Sequence, residues 1–120
     1  MKIERIDHVQ LAMPRGEEDR ARAFYGGILG IPEVPKPADL AKRGGVWFER
    51  GELKIHLGVD ADFRPAKKAH PGLRVRELDG LLERCRSAGV PVTEVEERED
   101  GRHAYVDDPF GNRIELVEIR

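Results

Sequence analysis

The chain has a single cysteine, few aromatic residues and no long apolar run. One cysteine excludes an intrachain disulfide. Cys85 falls in a helical pattern with no histidine near it in sequence, which favours a plain helix residue over a catalytic thiol. No apolar run approaches the roughly 20 residues that a membrane-spanning helix needs, and the start Met1-Lys2-Ile3-Glu4-Arg5 lacks the apolar segment of a secretory signal. We therefore expect a cytoplasmic protein that makes no membrane contact.

The chain also lacks a large excess of charge of either sign. Its formal net charge is −2 and its pI about 6.1, so no electrostatic argument favours a nucleic acid or an anionic membrane as a partner. There is no nucleotide-phosphate loop, dinucleotide fingerprint or Ser-His-Asp order. A chain of 120 residues fits one compact domain, or two half-size units that share a core.

What the sequence does contain is an internal repeat. The segment Lys54-Ile55-His56-Leu57 parallels Arg113-Ile114-Glu115-Leu116, 59 residues further on, and Gly30-Ile31-Pro32 parallels Gly89-Val90-Pro91 at the same distance. His8 in the first strand matches His70 at a distance of 62 residues. The repeat predicts one βαβββ unit written twice: module one at residues 1–59, a connector at 60–68 and module two at 69–120. It predicts an α+β fold.

Strand periodicity and helix signals predict the elements of each module. In module one we expect a strand from Ile6 to Met13, a helix from Glu17 to about Ile28, and a hairpin in which residues 46–49 pair with 54–59. In module two we expect a strand at 69–75, a helix at 77–88, a strand at 92–95, a charged turn at 96–101, and strands at 102–106 and 112–119.

Four side chains fall at matched places in this pattern: His8, His56, His70 and Glu115. In each strand the apolar residues occupy one parity and the candidate the other, so the four are expected on one face of a curved sheet. A lone strand histidine is usually a hydrogen-bonded or exposed residue. Four matched positions favour a site for a divalent cation instead. His103 has no match in the repeat, and we expect a surface or cavity-wall residue.

These residues resemble the vicinal-oxygen-chelate superfamily, which includes glyoxalase I, fosfomycin-resistance thiol transferases, extradiol dioxygenases and bleomycin-resistance proteins. The resemblance covers nearly the whole chain. It is carried by Asp7-His8-Val9, Arg22-Ala23-Phe24-Tyr25 before Leu29-Gly30, Ile55-His56-Leu57, Ala69-His70 before Leu73-Arg74-Val75, and the closing motif Asp108-Pro109-Phe110-Gly111-Asn112-Arg113-Ile114-Glu115-Leu116.

The resemblance implies two paired βαβββ modules that form a cup-shaped mixed sheet of eight strands, with helices on the convex side. His8, His70 and Glu115 fall on the usual three-ligand set and His56 on the fourth position, which glyoxalase I fills with glutamate. It also implies one divalent metal ion per site (Fe, Ni, Mn or Zn) and a homodimer. Whether the modules pair within a chain or between chains stays open, as does the role of His56 as a fourth ligand or as a neighbour of the ligands.

Two functions from different classes follow. The first is a metal-dependent enzyme whose cation chelates vicinal oxygens of a small-molecule substrate, with Glu115 as ligand and candidate base; lyase, isomerase, thiol transferase and dioxygenase chemistry all stay open. The second is a metal-free module that binds a small molecule or antibiotic, as bleomycin-resistance proteins do. Residues expected to bind substrate are Gln10, Phe48, Arg74, Tyr105 and Arg113.

Overall fold

A computed structural model describes residues 1–120 and divides the chain into two compact units, residues 1–63 and 64–120. The division falls inside the expected connector at 60–68. Each unit contains a four-stranded mixed sheet and helical segments, so the fold is α+β. No helix in the chain has the length and apolar character needed to cross a membrane.

The first unit follows the order β-α-β-α-β-β. Its strands are β1 (Val9–Met13), β2 (Glu33–Val34), β3 (Val46–Arg50) and β4 (Leu53–Val59), in the sheet order β1-β4-β3-β2. Strand β1 pairs in parallel with β4, while the other pairs are antiparallel. Helix α1 (Glu18–Ala21) continues into π-helical turns over Arg22–Ile28, and α2 (Ala38–Ala41) is one short turn.

The second unit repeats this topology. Its strands are β5 (Gly72–Arg74), β6 (Glu96–Arg98), β7 (Gly101–Asp107) and β8 (Arg113–Ile119), in the order β5-β8-β7-β6, and α3 (Leu78–Ser87) follows β5. Strand β5 pairs in parallel with β8, and the remaining pairs are antiparallel. The two units therefore share strand order and strand direction.

The register of the parallel pairs supports the repeat at the level of single residues. Gln10 of β1 lies opposite His56 of β4, and Gly72 of β5 lies opposite Glu115 of β8. Gln10 and Gly72 are 62 residues apart, and His56 and Glu115 are 59 apart, which are the distances found in the sequence. His8 lies two residues before Gln10, and His70 lies two residues before Gly72. Both histidines therefore come just before the first strand of their unit.

Three strand predictions need correction. The strand predicted at 92–95 is reduced to a single bridge between Val92 and Val106, and the regular strand is β6, inside the segment predicted as a charged turn. All three β6 residues are exposed, so no apolar alternation marked them. Strand β1 begins at Val9 and not at Ile6: its ladder with β4 starts at the pair Val9 and Ile55, and the residues before Val9 form no ladder. Strand β5 spans only Gly72–Arg74 within the segment predicted at 69–75.

Strand alternation separates the core of each unit from its polar face. In the first unit Phe48 and Ile55 lie opposite one another and are fully buried, while Trp47 and His56 form the next pair on the other face. The second unit follows the same rule with Val106 opposite Ile114 and Tyr105 opposite Glu115. Each sheet thus packs one face on apolar side chains and carries imidazole and carboxylate groups on the other.

Candidate functional site

In the first unit the sheet brings together His8 and His56. Their rings stack with centroids 4.5 Å apart, and Trp47 also stacks on His56. His56 is buried, whereas the His8 side chain is 41% exposed. The structure therefore places two of the predicted donors side by side, one accessible to solvent and one enclosed by aromatic rings.

Each of these two imidazoles has one ring nitrogen engaged by a carboxylate. Nδ1 of His8 lies 2.9 Å from the Asp7 carboxylate, and Nε2 of His56 lies 2.7 Å from that of Glu49. The hydrogen bond from His8, helped by the charge of Lys54, lowers the pKa of Asp7. A carboxylate that fixes one nitrogen orients the ring and leaves its second nitrogen as the potential ligand atom. That atom is Nε2 in His8 and Nδ1 in His56.

In the second unit the sheet brings together His70 and Glu115. Nε2 of His70 lies 3.0 Å from Oε1 of Glu115, and Nδ1 of His70 lies 2.9 Å from the carbonyl oxygen of Lys68. A carbonyl only accepts hydrogen bonds, so Nδ1 carries a proton. Nε2 then directs its lone pair at the carboxylate unless it is protonated as well. Nε2 of His70 and Oε1 of Glu115 are therefore two neighbouring potential ligand atoms.

The other carboxylate oxygen of Glu115 contacts His103, for which the sequence predicts only a surface or cavity-wall position. The contact with Glu115 is not part of that prediction. His103 is 6% exposed, its Nδ1 lies 2.6 Å from Oε2 of Glu115, and its Nε2 lies 2.7 Å from Asp100. The hydrogen bonds with Glu115 and, second, with Asp100 raise the pKa of His103.

A period-two signal could have located His103. It lies two residues before Tyr105 on β7, and Tyr105 is directly opposite Glu115. Residues two apart on a strand point to the same face, so pairing the last two strands correctly places His103 beside Glu115. In the first unit the position equivalent to His103 is Gly45, opposite Gly58. Because glycine has no side chain, the repeat alone does not predict a contact at position 103.

The electrostatics of Glu115 favour its charged form. Burial raises the pKa of this carboxyl, but the hydrogen bonds from His103 and His70, together with the charges of His103 and Arg98, outweigh burial and leave the pKa below its usual value. Glu115 is therefore a carboxylate at neutral pH. A carboxylate with a lowered pKa is a good anionic ligand and a weak proton acceptor.

Of the expected substrate-binding residues, Tyr105 and Arg113 lie together beside Glu115. The Arg113 guanidinium carbon is 5.6 Å from the centre of the Tyr105 ring, and Arg98 donates to the Tyr105 hydroxyl at 3.2 Å. His70 meets the same ring edge-on, with centroids 5.5 Å apart. Arg113 forms no ion pair with a carboxylate, so its charge is available to an anionic group.

The other expected substrate-binding residues fall in different places. Gln10 lies opposite His56 and is exposed, with its side chain over Gly58. Arg74 is exposed on β5. Phe48 is fully buried and stacks on Tyr25, on the face of the sheet opposite His56. The aromatic residue that does contact His56 is its neighbour Trp47.

The ring-nitrogen contacts are chemically suited to a divalent cation. His8 and His56 each have one ring nitrogen engaged by a carboxylate, and His70 has Nδ1 engaged by a carbonyl while its Nε2 faces Glu115. Metal-binding histidines usually have their other nitrogen held in this way, and Glu115 supplies a charged oxygen. His103 has both nitrogens engaged by carboxylates and is not a candidate ligand. No group of three or more His, Cys, Asp or Glu side chains is arranged to hold a metal ion in the structure; the donors lie as two pairs, one in each unit.

The two units share one strand order, and each carries histidine side chains hydrogen-bonded to carboxylates, which defines an α+β chain with a duplicated topology. A family model described as the Glyoxalase/Bleomycin resistance protein/Dioxygenase superfamily matches residues 5–116. The chain belongs to this superfamily. Its fold and the resemblance found in its sequence agree on this assignment.

Among solved structures, the chain is 47% identical to a glyoxalase family protein from Bacillus anthracis, with a TM-score of 0.93 and coverage of 100% of this chain and 98% of that one. It shares its fold with the fosfomycin resistance protein FosX from Listeria monocytogenes, at 20% identity, TM-score 0.80 and coverage of 99% and 96%. The antibiotic-binding protein TnmS3 from Streptomyces sp. CB03234 also shares it, at 22% identity, TM-score 0.76 and coverage of 100% and 99%. No curated protein matches the chain.

Proposed function

We propose that the chain is a metal-dependent enzyme that acts on a small molecule, and that His8, His70 and Glu115 hold one divalent cation with His56 as a fourth donor. The observation that carries this proposal is the contact between His70 Nε2 and Glu115 Oε1 at 3.0 Å, with Nδ1 of the same ring engaged by a backbone carbonyl. Three nitrogens and one carboxylate oxygen suit Fe, Ni, Mn or Zn.

The proposed role of the cation is that of a Lewis acid, which when bound polarises two neighbouring oxygens of a substrate. The residues of the chain would bind and orient the rest of that molecule. Arg113, which has no carboxylate partner, would bind an anionic group, with Tyr105 beneath its guanidinium. Exposed Gln10 and Arg74 would supply further polar contacts. The lowered pKa of Glu115 favours its role as ligand over that of base.

Metal analysis tests the proposal directly. The parent protein, purified without added metal, and the variants His8→Ala and Glu115→Ala are analysed for bound metal by mass spectrometry. We expect close to one ion per chain in the parent and loss of the ion in both variants. A matched control is Glu83→Ala, which removes an exposed carboxylate of α3 whose only ion pair is a 3.9 Å contact with Arg86. This variant should keep its metal.

The competing candidate is a metal-free module that binds an antibiotic or another small molecule. It predicts that the parent contains no metal and that dialysis against Zn²⁺, Mn²⁺, Ni²⁺ or Fe²⁺ under reducing conditions leaves none bound. Either candidate needs the polar face of the sheets, so ligand binding alone does not separate them. Metal content does, and a metal-free parent that takes up none of the four ions would refute the enzyme proposal.

We also propose that the protein is a cytoplasmic homodimer with two equivalent sites. Large apolar side chains of the amino-terminal segment support association, because Met1, Ile3 and Ile6 are highly exposed and their burial in a partner would be favourable. Light scattering coupled to size-exclusion chromatography tests this. A mass of one chain across the micromolar range would contradict the dimer.

A further inference from the structure

His103 differs from every other histidine of the chain in the use of its ring. Both nitrogens face carboxylates, Nδ1 toward Oε2 of Glu115 at 2.6 Å and Nε2 toward Oδ1 of Asp100 at 2.7 Å. The side chain is 7% exposed, whereas that of Asp100 is 58% exposed. The ring therefore bridges a buried carboxylate and one at the surface, and it has no free nitrogen for a metal or a substrate.

We propose that His103, held in place by Asp100, is the positioning residue that fixes the Glu115 carboxylate for metal binding; this inference rests on the proposed function above. A glutamate side chain has three rotatable bonds, and a ligand must be held in one orientation to bind well. The contact of Oε2 with His103 turns the other oxygen, Oε1, toward Nε2 of His70. One imidazole thus sets the direction of a carboxylate that a second imidazole faces.

Arg98 is the other residue that could hold Oε2 of Glu115, but its contact is weaker than that of His103. Nη1 of Arg98 lies 3.4 Å from Oε2 and 3.2 Å from Nδ1 of His103. The Arg98 side chain is 41% exposed and also engages Glu96 and the hydroxyl of Tyr105. Its distance from Oε2 is at the limit for a hydrogen bond, and solvent competes for its guanidinium. We therefore expect that Arg98 does not replace His103 when His103 is removed.

Three variants test the inference. His103→Leu removes the contacts of the ring with Glu115, Asp100 and Arg98. His103→Asn keeps an N–H donor near the position of Nδ1 but loses the contact with Asp100, and Asp100→Ala removes the hydrogen-bond partner of Nε2. The matched control is Arg102→Gln, at the adjacent position of β7, which removes ion pairs with Asp79, Glu97 and Glu118 without touching Glu115. Dissociation constants for Zn²⁺ and Co²⁺ are measured by competition with a chromogenic chelator, and unfolding midpoints of the metal-free proteins are measured alongside.

Loss of a hydrogen-bonding neighbour of a metal ligand typically weakens metal binding by about 10- to 100-fold. We expect that range for His103→Leu with the stoichiometry unchanged, a smaller loss for Asp100→Ala and partial recovery in His103→Asn. The control should bind like the parent, even where its unfolding midpoint falls. Parent-like affinity in His103→Leu would overturn the inference, and so would an equal loss in the control, since that would indicate a general effect of stability.

Crystal structures of the metal-free parent and of metal-free His103→Leu test the positioning role independently of metal binding. Rotation of the Glu115 carboxylate away from His70 in the variant supports the positioning role, and an unchanged Oε1 position overturns it. This comparison holds whether or not the parent binds metal. Failure of the proposed function would instead appear as a parent that takes up no ion, so the two failures are distinguishable.

Discussion

The indole of Trp47 and the imidazole of His56 stack with their centroids 3.9 Å apart and their planes within 3° of parallel. They are directly opposite one another on β3 and β4, and Trp47 is the only tryptophan of the chain. Tryptophan emission therefore reports on the surroundings of His56. A paramagnetic ion bound by this imidazole would quench the emission.

We predict that Co²⁺ quenches the emission of the parent in a saturable titration that ends near one equivalent. In Glu115→Ala the saturable phase should disappear, because Glu115 is one of the proposed ligands of this ion. The Glu83→Ala control should titrate like the parent. Parent-like quenching in Glu115→Ala would contradict the proposed ligand set.

A second prediction concerns Gly45, which has a φ of +88°. A Cβ at this position would lie 2.1 Å from the carbonyl oxygen of Leu57, a backbone atom of β4 next to His56. Left-handed backbone costs an L-residue about 1–2 kcal/mol, and displacing β4 adds to that cost. Gly45→Ala should therefore lower the free energy of unfolding by more than this amount in urea titrations.

Gly51 is the matched control for that substitution. Its φ is +60°, but no atom lies within 4 Å of a Cβ there. Gly51→Ala should cost only the strain of the left-handed backbone, about 1–2 kcal/mol. Equal losses for the two alanine variants would show that the contact with Leu57 is relieved without cost.

Much of the fold was predictable because each half of the repeat predicts the same order of strands and helices. Once Lys54-Ile55-His56-Leu57 is matched to Arg113-Ile114-Glu115-Leu116, the elements assigned in one module imply those of the other. The pairing of Gln10 with His56 and of Gly72 with Glu115 reproduces those matches. Burial on one face of a sheet makes register strongly specified, which explains the agreement.

The features that were missed are those without an apolar pattern or a counterpart in the repeat. Strand β6 consists of two glutamates and an arginine, all exposed, and ladder hydrogen bonds with β7 define it in place of burial. The hydrogen bond between His103 and Glu115 depends on the register of β7 against β8. The counterpart of position 103 in the first unit is Gly45, which has no side chain to suggest it. The strand β3 carries aromatic residues at two adjacent positions, and only the register shows that Trp47 accompanies His56 while Phe48 lies on the other face.

A third prediction concerns Cys85, a fully buried side chain of α3. Burial raises the pKa of its thiol, since the thiolate would lose its hydration, and the nearby charges of Arg84 and Arg86 oppose this only in part. The folded protein should therefore react very slowly with a disulfide reagent at pH 8, and fast once urea unfolds it. Rapid reaction in the absence of denaturant would contradict the buried position.

The last prediction concerns the turn that leads into β8. Oδ1 of Asp108 accepts hydrogen bonds from the backbone N–H groups of Phe110 and Asn112 at 2.8 and 2.9 Å, and its Oδ2 accepts one from the Asn112 side chain at 2.9 Å. Asp108 and Asn112 are both buried. Asp108→Ala removes the acceptor for three buried donors, and a buried donor left without a partner costs about 1–3 kcal/mol.

We expect Asp108→Ala to lower the free energy of unfolding by more than about 2 kcal/mol, and Asp108→Asn to lower it less, because the amide oxygen can still accept from the two backbone groups. Chemical denaturation measures both. Asn112 also accepts from the backbone N–H of Ala66 at 3.0 Å, so the turn ties the start of the second unit to the strand that carries Glu115. Where Asp108→Asn remains folded, its metal affinity should therefore fall along with its stability, and a variant that loses stability while binding metal like the parent would show that this turn does not help to place Glu115.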